Sequence, residues 1–266
     1  MLEQFSPAIR GMILDADGVL WKDTTPIGDL PRLFERMRAL GMKVTIATNN
    51  ATMTVEQYLE KVASFGVKLD AEQIVTSAHG TAAALSQAFP GKGAVYVIGE
   101  NGILAALCDA GFTTVTDPND GSPVVAVVAG MDRALTYQKV QRAMWHIRAG
   151  ARFYGTNPDA TFPTPAGLVP GAGAVIAAVR TAAGVDPIFI GKPSPFMFTL
   201  AAERMQLHMD EILAVGDRLE TDIAGGQGVG ARTALVLSGV STAEQAQQWK
   251  PQPDLIAKDL ATLLSQ

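Results

Sequence analysis

The stretch Gly11-Met12-Ile13-Leu14-Asp15-Ala16-Asp17-Gly18-Val19-Leu20 decides the fold. A short apolar run ends in two carboxylates at alternate positions and then a glycine, the pattern of a strand that stops and turns. Working outward, strands are expected at Gly11–Ala16, Lys43–Thr48, Gln73–Thr76, Ala94–Gly99, Val124–Gly130, Arg152–Gly155, Ile188–Gly191, Ile212–Asp217, Thr233–Leu237 and Leu255–Ala257. Helical periods separate them at Asp29–Leu40, Thr54–Phe65, Asn101–Ala110, Thr136–Ala149, Ala172–Ala183, Pro195–Met205, Thr221–Gly228 and Leu260–Ser265. The first two helices close on Gly41 and Gly66, where a C-cap favours glycine. Strand and helix in alternation imply an α/β fold built on a mainly parallel sheet.

A chain of 266 residues suits one large α/β domain or two modest ones, and 48% hydrophobic residues against 18% charged supply a buried core. The balance of 21 Lys+Arg and 26 Asp+Glu leaves a formal charge of −5 with no basic run, which excludes a nucleic acid polymer as partner. A single cysteine, Cys108, excludes an internal disulfide and a cysteine-based metal site, and fits a reducing compartment. Cys108 itself reads as a small buried hydrophobe, and Trp145 as packing in a core or interface. The N-terminal segment reads as neither signal peptide nor anchor, and the longest apolar block, Val124–Met131, is far short of the roughly 18 residues that span a membrane. A cytoplasmic protein without a membrane partner is expected.

Four short motifs carry chemistry, each at the carboxyl end of an expected strand. Asp15 and Asp17 place two carboxylates at a sheet edge, where one can ligate a metal or attack phosphorus and its neighbour can exchange a proton with a leaving group. An ordinary capped turn explains the same residues. Ala47-Thr48-Asn49-Asn50 offers a hydroxyl, amides and backbone N–H groups suited to phosphate oxygens, or an N-cap cluster. Gly191-Lys192-Pro193 holds a lysine able to neutralise a carboxylate and a phosphoryl group, or a solvated loop lysine. Gly216-Asp217 through Asp222 offers acids for a magnesium site, or, at Asp222, a charge favourable to a helix N-terminus. Four such coincidences in order are improbable. The glycines at 171–173 and 225–230 do not follow a strand in the spacing of a dinucleotide fingerprint, so that site is disfavoured.

Together DADGVL, ATNN, GKP and GDRLETD resemble the four motifs of the haloacid dehalogenase-like (HAD) superfamily hydrolases. The closer resemblance is to the NagD-like, 4-nitrophenylphosphatase group (subfamily IIA), because Gly150–Gly191, with its Asn-Pro-Asp, Pro-rich loop and run into Gly-Lys-Pro, is also similar. The resemblance implies a Rossmann-like core at 1–78 and 185–266 with an inserted α/β cap at 79–184 that excludes water and selects substrates. It implies a Mg²⁺-dependent phosphatase that cleaves small-molecule phosphate monoesters (nucleotide, sugar or glycolate-type) through an aspartyl-phosphate. Asp15 falls on the nucleophile and a metal ligand, and Asp17 on the general acid/base, whose backbone carbonyl completes the metal shell. Thr48 and Asn49 fall on phosphate contacts, Lys192 on the family lysine, Asp217 on the metal-ligating acid, and Asp222 on an acid that orients the metal's waters or Lys192. Asn157, with Asp159, Thr161 and the loop Pro165–Pro170, is a candidate to face the leaving group. A homodimer through the cap is also implied. Three alternatives are a phosphotransferase or mutase sharing the aspartyl-phosphate, a non-catalytic phosphate-binding regulator, and a dehalogenase, which does not need the second aspartate.

Overall fold

Strand β1 (Gly11–Leu14) is buried along its whole length and has a parallel neighbour on each side. These neighbours are β4 (Lys43–Thr48) and β13 (Ile212–Gly216), in a register that sets Leu14 opposite Ile46 and Val215. The computed structural model describes residues 5–164 and 166–265. They form two compact units. The first comprises Met1–Thr48, Glu56–Val75 and Lys192–Gln266, the second Asn49–Val55 and Thr76–Gly191. The second unit thus extends past the expected 79–184 span and takes in a short segment beginning at Asn49.

In the first unit six strands run in the order β15 (Leu255–Ala257), β14 (Arg232–Val236), β13, β1, β4 and β5 (Ile74–Thr76). The chain moves outward from β1 through β4 to β5, then resumes on the other flank at β13 and moves outward again. This reversal makes the carboxyl edge at β1 and β13 a topological switch point, where open parallel sheets bind ligands. Helix α1 (Leu30–Ala39) shows how local sequence supports the frame. The Asp29 carboxylate accepts from the Arg32 amide at 3.1 Å, Pro31 occupies the first turn, and Leu30, Leu33, Phe34 and Met37 form the buried stripe. Gly41, at φ +70°, ends the helix as its sequence implied. Helices α2 (Val55–Ser64), α7 (Pro195–Met205), α8 (Ala224–Gly228), α9 (Ala243–Gln248) and α10 (Leu260–Leu264) complete the set. Met197, Phe198, Ala201 and Met205 of α7 pack on Ile13, Ala47, Ile212 and Ala214. A Cβ at Gly225 would meet the Phe198 ring, and one at Gly226 would lie 2.9 Å from Ala214 and Thr233 side chains. Gly225 thus lets α8 pack closely on α7, and Gly226 on the sheet.

In the second unit a parallel sheet runs in the order β12 (Ile188–Phe189), β9 (Arg152–Gly155), β8 (Ala126–Ala129), β6 (Ala94–Ile98) and β7 (Thr113–Val115). Its helices are α3 (Ser77–Ala88), α4 (Asn101–Asp109), α5 (Tyr137–Arg148) and α6 (Ala172–Ala183). Ile98, Val127, Ile147, Phe153, Ile176 and Val179 build its core. The amides of Gly171 and Gly173 donate to the carbonyls of Ala160 and Asp159 at 2.9 Å, so the start of α6 is closed by main chain.

Several elements differ from the sequence reading. Helix α3 escaped it because the helix is buried nearly all round and made mostly of Ala, Ser, Thr and Gly, which erases the amphipathic period. The Pro-rich stretch expected to be loop contains an antiparallel hairpin, β10 (Thr161–Thr164) with β11 (Gly167–Pro170), and a smaller hairpin joins β2 (Trp21–Lys22) to β3 (Thr25–Pro26). Pro165 lies outside the described residues. Cys108 is exposed rather than buried, because α4 turns Gly102, Ile103, Ala106 and Leu107 inward. Trp145 is 47% exposed instead of packed in a core, with the Arg142 guanidinium 5.0 Å from its ring. Among the described residues no helix is long and apolar enough to cross a membrane.

Truncating Phe198, 1% exposed, to alanine opens a cavity between α7 and α8 and should cost about 3–5 kcal/mol in urea denaturation. Leu168→Ala, at a side chain 71% exposed, should stay within about 0.5 kcal/mol of wild type.

Candidate active site

The carboxyl ends of β1, β4 and β13 lie side by side because those strands are hydrogen-bonded neighbours, and each delivers one polar residue: Asp15, Thr48 and Asp217. Beyond Leu14 the Asp15 amide still donates to Val215 at 2.9 Å, after which the Ala16 carbonyl accepts from Leu20 and Trp21 and the chain turns. Gly18 sits in that turn at φ +89°, and a Cβ there would lie 2.5 Å from Asp217 Oδ2. Only glycine satisfies both the backbone and the approach of the carboxylate.

Lys192 is 3% exposed and donates to Asp15 Oδ1 at 2.6 Å, Asp222 Oδ1 at 2.6 Å and the Ala47 carbonyl at 2.8 Å. Asp222 uses its other oxygen to accept from the Arg218 amide at 3.1 Å. Asp217 accepts from the Val240 amide at 2.8 Å through Oδ2, while its Oδ1 is buried with no hydrogen-bond partner among the described residues. Burial works against the charge of Lys192, but Asp15 and Asp222 outweigh it and hold the ammonium in its charged form. Burial raises Asp15 well above the ordinary carboxylate range, with Asp222 and Asp217 adding to the rise and Lys192 opposing it. Burial, reinforced by Asp222, pushes Asp217 up to about 6.

Asp15, Asp217 and Asp222 each offer a carboxylate oxygen within 4.8 Å of the others. Three carboxylates around one ammonium leave an excess of negative charge in a buried place, and the orphaned Oδ1 of Asp217 is a ligand atom without a partner. An all-oxygen donor set with neither thiolate nor imidazole suits a hard divalent cation such as Mg²⁺. The Asp17 carboxylate is not among those three. Its Oδ1 accepts from the indole Nε1 of Trp21 at 3.0 Å, and burial raises it while Lys61 and that hydrogen bond oppose the rise. Thr48 is buried at the end of β4 and shares a hydrogen bond with the Tyr58 hydroxyl.

The remaining candidates lie in the second unit. Asn49 donates through Nδ2 to Asp159 at 3.0 Å, and its carbonyl accepts from Asn157 Nδ2 at 2.7 Å and Ser77 Oγ at 2.6 Å. Asn157 is 5% exposed, and its side-chain oxygen accepts from the Asp159 amide at 3.1 Å. Thr161 stands exposed on β10. Sequence reasoning overlooked Trp21, Tyr58 and Lys61, although Trp21 stands only four residues beyond Asp17 and immediately follows the quoted motif.

A family model described as haloacid dehalogenase-like hydrolase matches residues 12–113, and a second, HAD-hydrolase-like, matches 189–263. An acid sugar phosphatase of Staphylococcus aureus is 37% identical over 251 residues, which cover 94% of this chain and 95% of that protein. Among solved structures, NagD from Escherichia coli K-12 superposes with a TM-score of 0.86 at 31% identity, covering 95% of this chain and 97% of that one. A glycerol phosphate phosphatase from Mycobacterium tuberculosis, in complex with magnesium, gives 0.88 at 32% identity, covering 96% and 76%. The chain belongs to the haloacid dehalogenase-like hydrolases and, within them, to the NagD-like group. It is a phosphatase.

The raised Asp217 has a consequence for protein dialysed free of divalent cations. Between about pH 4 and 6 the folded chain binds more protons at this site than the unfolded chain, so the site's contribution to stability falls as pH rises. Asp217→Asn removes that dependence. The variant's thermal midpoint, measured by calorimetry, should gain on wild type through this interval and hold its lead above pH 6; a pH-independent difference would refute the assignment.

Proposed function

We propose that this phosphatase hydrolyses small-molecule phosphate monoesters, of the sugar, nucleotide or glycolate type, with Mg²⁺ and with Asp15 as nucleophile. The observation that carries the reading is the buried cluster of Asp15, Asp217 and Asp222 around Lys192 at the switch point. The names of the two relatives above, an acid sugar phosphatase and a glycerol phosphate phosphatase, support the sugar and polyol end of that range.

In this reading an oxygen of Asp15 attacks phosphorus and the ester P–O bond breaks. The departing oxygen takes a proton from Asp17, so an alcohol leaves and the phosphoryl group remains on Asp15. Asp17 then takes a proton from water, whose oxygen attacks the same phosphorus and releases inorganic phosphate and the Asp15 carboxylate. Two residues are needed because attack requires an ionised carboxylate and departure of an alkoxide requires a proton. Lys192 holds Asp15 in place and offsets the charge of the incoming phosphoryl group, and Asp222 holds Lys192. Thr48 and Asn49 bind phosphoryl oxygens. Asp15 and Asp217, with the Asp17 carbonyl, would hold Mg²⁺, which when bound neutralises charge on the phosphoryl oxygens. The second unit, as the cap, selects the leaving group, with Asn157 among its candidate contacts. Its exposed Tyr137 and Trp145, 78% and 47% accessible, support a homodimer through this unit, an inference that sedimentation showing only monomer would sink.

Phosphate release from a panel of esters, with Mg²⁺ and with EDTA, tests the reading. Release should need Mg²⁺, proceed without a second acceptor, and disappear in Asp15→Asn, whose fold remains intact. Asp17→Asn should lose about 10²–10⁴-fold on an alkyl phosphate and far less on 4-nitrophenyl phosphate, whose leaving group needs no proton. Equal losses on both esters would count against Asp17 as the acid.

A further inference from the structure

The reaction above leaves unused a fully buried aromatic pair beside the site. Trp21 is 0% and Tyr58 1% exposed, their rings stack at 6.5 Å, and Phe65 closes the other contact with Trp21 at 5.8 Å. A pair serving only as core would be as well made from phenylalanine, which brings no polar atom needing a partner. Here both polar atoms have one. The indole N–H donates to Asp17 Oδ1 at 3.0 Å, and the phenol is hydrogen-bonded to Thr48. The Lys61 ammonium stands 4.6 Å from the Trp21 ring centroid, a cation against both the ring face and the Asp17 charge.

We propose that Trp21 and Tyr58 are positioning residues for the phosphatase reaction, a stacked pair whose two polar ends fix the Asp17 carboxyl and the Thr48 hydroxyl relative to each other. The inference rests on the hydrolase reading and adds two residues to it. An indole can only donate, so it holds one named oxygen of Asp17 and leaves the other, Oδ2, outside its grip. Main-chain bonds fix the indole's own place. Gly18 donates to the Trp21 carbonyl at 2.7 Å and the Trp21 amide donates to Ala16 at 3.2 Å, so the acid and the group that orients it share one turn. Tyr58 comes from α2, a separate element, and ties that turn to the end of β4.

The test uses Trp21→Phe and Tyr58→Phe, which keep a stacked ring and delete a single hydrogen-bonding group. Trp21→Phe should lower kcat on glycerol phosphate by about tenfold or more while changing 4-nitrophenyl phosphate by less than about threefold, because it disturbs the proton donor. In an Asp17→Asn background the same change should have no further effect. Tyr58→Phe should instead raise the inhibition constant of inorganic phosphate, and the KM of both esters alike, without altering the ratio of their kcat values. Should Trp21→Phe fail to fold, benzothienylalanine at position 21 supplies the indole's shape without its N–H. Equal losses on both esters, or an undiminished effect in the Asp17→Asn background, would leave Trp21 a packing residue and overturn its part of the proposal; an unchanged phosphate inhibition constant would do the same for Tyr58. A wild-type enzyme that releases no phosphate from either ester would overturn the hydrolase reading itself.

Discussion

The ammonium of Lys192, shared among Asp15, Asp222 and the Ala47 carbonyl, is the interaction on which the site depends. Hydrogen bonds to two carboxylates and a carbonyl compensate a buried cation, and that is the condition under which such a charge can stay in a protein interior. Removing any one partner would strand charge away from water, a far larger penalty than the net worth of the pair. The ammonium joins the ends of β1 and β4 to the short helical segment Leu219–Ile223 after β13, so sheet geometry and site geometry constrain each other.

The arrangement remains unbalanced in charge. One ammonium faces three carboxylates, and burial raises Asp15 and Asp217 because their charge is not fully compensated within the chain. A scaffold selected only for stability would replace such acids. Their presence at a switch point, with one oxygen of Asp217 unpartnered among the described residues, is the feature on which the proposed cationic and phosphoryl site rests. Gly18 belongs to the same design, since its missing side chain leaves room for the Asp217 carboxylate.

Legibility in the sequence followed physical cause. Strands β1 and β13 were readable because strands buried on both faces are continuous apolar runs, and Asp15 and Asp217 because polarity interrupts those runs abruptly; β4 was readable from its β-branched Val44, Thr45 and Ile46. Helix α3 was not, since a helix buried on all sides carries no period to detect. Cys108 and Trp145 were misjudged for a related reason: residue type gives average burial, whereas the face of α4 or α5 on which each falls decides the actual value. Trp21 was visible in the sequence as a large apolar residue; its donation to Asp17 was not, because that depends on how tightly the intervening turn closes.

The sequence by itself determined the α/β class and the succession of its main strands and motifs along the chain, because period, polarity and turn residues act over a few positions. It also supplied the residue types that the proposed chemistry uses: Asp15, Asp17, Thr48, Lys192, Asp217 and Asp222. Only the tertiary structure decided which partners they have. Lys192 reaches Asp15 across 177 positions of sequence and Asp222 across 30, and no local pattern encodes a distance of 2.6 Å between them. Strand pairing sets that distance, and strand pairing is a property of the whole sheet.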